Sequence, residues 1–268
     1  MKKMIILLLI TLIAIFSFAG CSNTDDKIIK IGASPTPHSE ILELAREELE
    51  ENGYTLEIVE FTDFVQPNLT VDSGNLDANY FQHQPYLDDF NENNNTKLVT
   101  IATIHYEPLG IYPGKTTSLA DLEEGATIAV PNDPTNEARA LLLLETAGLI
   151  KIDPNAGLTA TINDITYNPN NYQVLEIEAA QVPRTLQDVD LGVINGNYAL
   201  LSNLNVNTDA LVKEEKESLS ATTYANILVV REGNENNEKL QALVEALKSD
   251  KVKQFIEEKY NGSVVPVF

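Results

Sequence analysis

The chain has one cysteine, three histidines, and only 18 lysines and arginines against 40 aspartates and glutamates. Each scarcity removes a class of function. A single cysteine, Cys21, admits no intramolecular disulfide. The histidines, His38, His83 and His105, are not at metal-ligand spacing, so neither a metal nor a cofactor is expected. The patterns G-x-S-x-G, H-E-x-x-H and the P-loop are missing. With so few histidines a His-based triad has few candidates. Asp77 with His83 is the one acid–base pair the sequence suggests, and no catalysis is expected. The net charge of −22 repels nucleic acid and anionic lipid head groups. Acidic pairs such as Asp88-Asp89 read as solvated surface rather than calcium ligands.

What is present begins with an uncharged run, Met4 to Gly20, behind Lys2 and Lys3. It is short for a membrane span and suits a signal peptide over residues 1–20. The run ends in Phe18-Ala19-Gly20-Cys21, which resembles the lipobox of bacterial lipoproteins. Small residues ahead of a cysteine let a dedicated peptidase cut there, and the Cys21 thiol then takes the lipid. The plainer alternatives are an ordinary cleaved signal or an uncleaved anchor. Residues 21–27 read as a short polar tether, and a globular body starts at Ile28. A soluble body held at a membrane by its lipid is the expectation.

The body is long enough for one large domain or two smaller lobes. Ile28 to Ala33 reads as a buried strand, followed by a rigid loop at Ser34-Pro35-Thr36-Pro37 and a helix from about His38 to Asn52 with Ile41, Leu42, Ala45 and Leu49 on one face. Thr55 to Phe61 alternates as a second strand. Strand, helix, strand with short loops is the signature of a parallel sheet covered by helices. The pattern recurs at Ala126 to Leu144, where ATIAVPNDPTNEARALLLL echoes IKIGASPTPHSEILELA, which suggests two similar lobes. In that second unit Asp133 is placed to cap a helix, Pro134 fits its first turn, and Gly148 suits its end. Asn91 to Asn95 is expected to be a surface loop, and Lys213 to Glu217 a charged, exposed stretch. Ala225 to Val230 reads as the last strong strand, before two closing helices at about Asn237 to Lys248 and Lys251 to Tyr260.

Few polar residues interrupt this apolar patterning, and they sit at strand ends or helix starts, where ligands bind in parallel sheets. Arg139 lies in the second turn of an apolar helix, near the end where a cation is least favoured. It is placed either to meet an anion or to pair with a structural carboxylate. Asn195 closes the strand Asp190 to Ile194 within the cluster Asn195-Gly196-Asn197-Tyr198, and Asn226 opens the strand Ala225 to Val230. Their amides suit the ammonium and carboxylate of an amino acid. Phe81, with Tyr80 and His105, is placed to wall an apolar pocket, and His83 shares that aromatic cluster. For each of these alone, a core or solvated role is the simpler reading. Composition supports a small polar ligand and no more.

Several segments together resemble the methionine-binding lipoprotein family, the solute-binding components of methionine ABC importers. They are GASPTPHSEIL, LDANYFQHQPYL, EPLGIY, VPNDPTNEARALLLL, GLIKI, NPNN, EAAQVPRTLQDVD and VINGNYAL, in the family's order, from about Ile31 to Val230. The resemblance implies an α/β, two-lobed periplasmic-binding-protein fold, each lobe a mostly parallel sheet flanked by helices, with the ligand cleft between lobes. One lobe would comprise residues 28–108 and 225–268, the other 113–220, with hinge crossovers at 109–112 and 221–224. It implies that Arg139 binds the ligand carboxylate, that Asn195 and Asn226 bind its backbone groups, and that Tyr80, Phe81, His83 and His105 surround the thioether. It implies further a monomeric, lipid-anchored protein on the extracytoplasmic face of the cell membrane, with the permease and ATPase of an importer as partners. The ligand would be L-methionine or a close relative, the alternatives being a methionine-containing dipeptide or another amino acid. A role in surface protein contact is the remaining, less supported reading.

Overall fold

The computed structural model describes residues 27–215 and 219–268. The expected signal peptide, Cys21 and most of the expected tether lie outside the described residues. The chain first builds β1 (Ile28–Ala33), α1 (Glu40–Glu51), β2 (Thr55–Glu60), α2 (Gln66–Asp72), β3 (Ala78–His83), α3 (Gln84–Asn94) and β4 (Leu98–Tyr106). It then enters a second sheet through β5 (Gly110–Pro113), β6 (Thr127–Pro131) and α4 (Pro134–Thr146). A two-stranded ribbon follows, β7 (Lys151–Ile152) with β8 (Ile165–Tyr167). The second sheet resumes with β9 (Gln173–Ile177), α5 (Val182–Thr185), β10 (Leu191–Ile194), α6 (Gly196–Leu201) and β11 (Val212–Lys213). Past α7 (Leu219–Thr223) the chain returns to the first sheet as β12 (Asn226–Arg231), then α8 (Glu238–Leu247), α9 (Asp250–Tyr260) and β13 (Val265–Pro266).

The first sheet has the order β13-β4-β12-β3-β1-β2 and the second β11-β5-β10-β6-β9. In the first, β1 runs parallel to β2 and β3, and the returning β12 inserts antiparallel between β3 and β4. In the second, β6 runs parallel to β9 and β10, while β5 is antiparallel to β10. This is the two-lobed α/β architecture that the strand–helix repeats indicate. Each sheet has its own core. Ile31, Leu42, Leu49, Leu228, Leu243 and Ile256 close the first; Ile128, Val130, Leu141, Leu144 and Val193 close the second. A fully buried Leu or Ile contributes roughly 1.5–3 kcal/mol, so either core is large enough to hold its lobe.

The helix carrying Arg139 forms as its residues dictate. Asp133 accepts a hydrogen bond from the Asn136 N–H at 3.0 Å, Pro134 opens the helix, and Gly148 beyond it takes a φ of +76°. Replacing Asp133 by alanine is expected to cost about 1 kcal/mol, read as a lower urea midpoint with an unchanged slope.

Three expectations are corrected. The asparagine run is not a loop: α3 continues to Asn94 and ends on Asn95 in the left-handed conformation. The amides serve the helix, since Asn94 Nδ2 donates to the Phe90 carbonyl and Asn91 Oδ1 accepts from the Leu98 N–H. Within Lys213 to Glu217, Glu214 is buried, for a reason given below. The first crossover also comes earlier than 109–112. Tyr106 still pairs with Val265 in the first sheet, and Gly110 already pairs with Ile194 in the second, leaving residues 107–109 as the connection. The second connection contains α7, which takes up most of 221–224.

Candidate functional site

A cavity lies between the two sheets, beyond the carboxyl ends of β3, β6 and β10 and at the start of β12. Phe81, His83, Arg139, Asn195 and Asn226 all reach its wall. Phe64, Gln82, Tyr86, Glu107, Asn136, Gly196 and Asn197 complete it. One end is aromatic: the rings of Phe64 and Phe81 are 5.8 Å apart, and Phe64 and Tyr86 also 5.8 Å. The other end is polar, and its hydrogen bonds can be followed donor by donor.

On the second-lobe side, Asp133 is an acceptor-only carboxylate, and Asn136 Nδ2 donates to it at 2.8 Å. Asn136 Oδ1 therefore faces away and accepts from Asn195 Nδ2 at 2.7 Å. It also receives His83 Nε2–H at 3.2 Å, because His83 Nδ1 is already an acceptor for the Tyr86 N–H. The chain of donors leaves Asn195 Oδ1 buried with no partner. A buried oxygen without a donor costs about 1–3 kcal/mol, so this atom is poised for a ligand N–H.

On the first-lobe side, Glu107 is buried in the crossover. Its Oε1 accepts His105 Nε2–H at 2.7 Å and stands 3.4 Å from His38 Nε2; the Asn197 N–H also donates to the carboxylate. The Tyr80 hydroxyl bonds His105 Nδ1, which fixes the His105 tautomer. His38 Nε2–H donates to Asn226 Oδ1 at 2.9 Å, so Asn226 turns its NH₂ group elsewhere. Gly196 packs directly on Glu107; a Cβ there would lie 2.6 Å from the Glu107 Cβ, so only glycine fits between Asn195 and Asn197. Burial pushes the Glu107 carboxyl up, offset in part by nearby His38 and Arg139. Burial lowers His38 to about 4 and His105 to about 3, so both are neutral donors.

Arg139 has two sets of partners. Its Nε and Nη2 bond Glu214 Oε1 and Oε2 at 2.9 and 2.6 Å, and Nη2 also donates to the Glu107 carbonyl at 2.9 Å. Its guanidinium carbon lies 4.3 Å from the Tyr224 ring centroid. Glu214 further accepts the Tyr106 O–H and the Leu109 N–H. Burial alone would raise the Glu214 pKa, but Arg139 outweighs it and holds the carboxyl below its ordinary value. Arg139 thus pairs with a structural carboxylate and still lines the cavity; the two readings of this residue are not exclusive.

Residues 29–268 match the NlpA lipoprotein family. The chain belongs to that family. The methionine-binding lipoprotein MetQ of Bacillus subtilis is 40% identical over 275 residues, covering 100% of this chain and 99% of its own length. The D-methionine-binding lipoprotein MetQ of Escherichia coli is 38% identical over 259 residues, covering 95% and 94%. The solved structure of a nutrient-binding protein from Burkholderia cenocepacia bound to methionine is similar with a TM-score of 0.85 at 44% identity, over 90% of this chain and 100% of that one.

Within this NlpA lipoprotein, two expected site residues are placed elsewhere. Tyr80 and His105 are fully buried and lie behind the cavity wall. Tyr80 faces the first core with Ala78, whereas Phe81 belongs to the aromatic cluster of Tyr86 and Phe90. The pairing of β3 with β12 skips Phe81, a bulge that lets Asn79 and Gln82 both bond Asn68. Sequence reasoning missed Phe64, Glu107 and Asn136. Phe64 and Glu107 lie in connections between strands and helices, where no local pattern marks a wall residue. Asn136 is inside the PNDPTN motif, which was the available signal. Two histidines far apart in the sequence meet in the fold, contrary to what their spacing suggests. His38, His105 and Glu107 converge, with ligating atoms within 4.8 Å of one another. An ion at about 2.1 Å from each ligand would hold them about 3.4 Å apart. The 2.7 Å contact of His105 with Glu107 is instead a direct hydrogen bond. Among the described residues no helix is long and apolar enough to cross a membrane.

Proposed function

We propose that the protein is a lipid-anchored, extracytoplasmic solute-binding protein that captures L-methionine and delivers it to an ABC importer. The observation that carries this reading is the unpartnered Asn195 Oδ1, on a residue that lines one cavity with Glu107 and Arg139. Two acceptors at one place call for a donor with several N–H groups, which an α-ammonium supplies. Arg139 and the free NH₂ of Asn226 are donors, and suit the α-carboxylate. One asparagine presents oxygen and the other nitrogen, so the site reads a zwitterion with a defined direction. Phe64, Phe81 and Tyr86, with His83, enclose an apolar side chain, and sulfur packs favourably against aromatic rings.

The names of the MetQ relatives and the methionine in the Burkholderia cenocepacia protein support methionine over other apolar amino acids. The lobes close about residues 107–109 and the connection through 221–224, and the closed form is what the permease receives. The ligand is bound and released rather than transformed. Refolded, ligand-free protein is expected to bind L-methionine in isothermal titration with one site per chain. Parallel titrations with D-methionine and with methionylglycine test the neighbouring ligand classes. No heat with L-methionine at micromolar protein overturns the reading, and tighter binding of the dipeptide transfers it to that class.

A further inference from the structure

We infer that His38, which does not touch the cavity, is the positioning residue that fixes the direction in which the site reads its ligand. It does so by donating one proton to the Asn226 amide oxygen. The inference rests on the zwitterion reading above. His38 precedes α1 and is completely buried. Its ring is held edge-on by Tyr80, 4.7 Å away, and by His105, 4.9 Å away. Its Nε2 faces two oxygens, Asn226 Oδ1 and Glu107 Oε1. Its Nδ1 is buried with no partner.

A neutral imidazole carries one proton, and only Nε2 has acceptors for it. With the proton there, Asn226 must turn its oxygen toward His38 and its NH₂ away, to the ligand carboxylate. With the proton on Nδ1, Nε2 becomes an acceptor and the Asn226 amide turns over. The ligand carboxylate would then meet an oxygen. Glu107, the acceptor assigned to the ammonium, lies 3.4 Å from the same nitrogen and takes its hydrogen bond from His105 instead. One buried proton therefore sets the polarity of the Asn226 end of the polar wall. Burial supports this by keeping the ring neutral through the physiological range.

Wild-type, His38→Gln and His38→Met proteins test the inference. A glutamine amide can place an N–H near the Nε2 position, whereas methionine fills similar volume without a donor. His38→Met is expected to bind L-methionine about 30-fold more weakly, and His38→Gln within about fivefold of wild type. Equal binding by wild type and His38→Met overturns the inference, as does His38→Gln failing as badly as His38→Met with an unchanged melting temperature. Long-range ¹H–¹⁵N spectra of the wild type give an independent readout. The Nε2–H tautomer of His38 at neutral pH is expected with and without ligand, and the Nδ1–H tautomer or an imidazolium overturns the inference. Wild-type protein that binds no methionine overturns the ligand reading instead. The tautomer then decides the role of His38 alone.

Discussion

Arg139→Ala is expected to weaken methionine binding by about 2–4 kcal/mol and to lower stability by about 3–5 kcal/mol. The two losses have different origins. Binding suffers because the ligand carboxylate loses its cation. Stability suffers because Glu214, 8% exposed, keeps its charge with its bidentate partner gone. A whole domain is stable by only about 5–15 kcal/mol, so the second loss is large enough to obscure the first. The double variant Arg139→Met with Glu214→Gln separates them. Removing both charges from a buried pair is often neutral or stabilising, so the urea midpoint should return toward wild type while binding stays lost. Titration and urea unfolding of the single and double variants measure both. A double variant that binds methionine as tightly as wild type would return Arg139 to a purely structural role.

That prediction also marks what sequence reasoning could reach. The helix of Arg139 was legible end to end, since its cap, its opening proline, its apolar face and its terminating glycine are all local signals. Phe81, His83, Asn195 and Asn226 were legible as wall residues because strand ends gather at one edge of a parallel sheet. Tyr80 and His105 were misplaced because a bulge at Phe81 and the facing of β3 toward its core are properties of pairing with β12, far along the chain. Glu214 sits in a run of charges that reads as exposed. Its partner Arg139 is 75 residues away, and no local pattern carries that information. Glu107 was missed for a similar reason. It looks like an ordinary residue in an extended stretch, and only the convergence of His38, His105 and Asn197 makes it a held carboxylate. Local rules therefore found the donors and acceptors at element ends, while tertiary contacts decided how each was oriented.

Glu107→Gln is expected to weaken methionine binding by about 2–3 kcal/mol and to remove its dependence on pH at the acid side. Glu107 is buried beside His38 and His105, both neutral, and the Asn197 N–H, and among the described residues the permanent charge acting on it is that of Arg139. Burial is the largest influence and raises its pKa, so the free protein begins to protonate this group above the ordinary carboxylate value of about 4.3. A ligand ammonium stabilises the ionised form. Binding to protonated Glu107 therefore releases a proton, and affinity rises with pH until the group is ionised in the free protein. Below that pKa the wild-type affinity should fall by up to tenfold per pH unit. His38 and His105 titrate at about 4 and 3 and remain neutral over the upper part of this window. In Glu107→Gln nothing at this position titrates, so its weaker affinity should stay level over the same range. Titration calorimetry between about pH 4.5 and 8, in buffers of different ionisation enthalpy, reports both the affinity and the protons released. A wild-type profile that stays level down to pH ~4.5 would mean that Glu107 is not the partner of the ammonium. Asn195 Oδ1 would then be left as its principal acceptor.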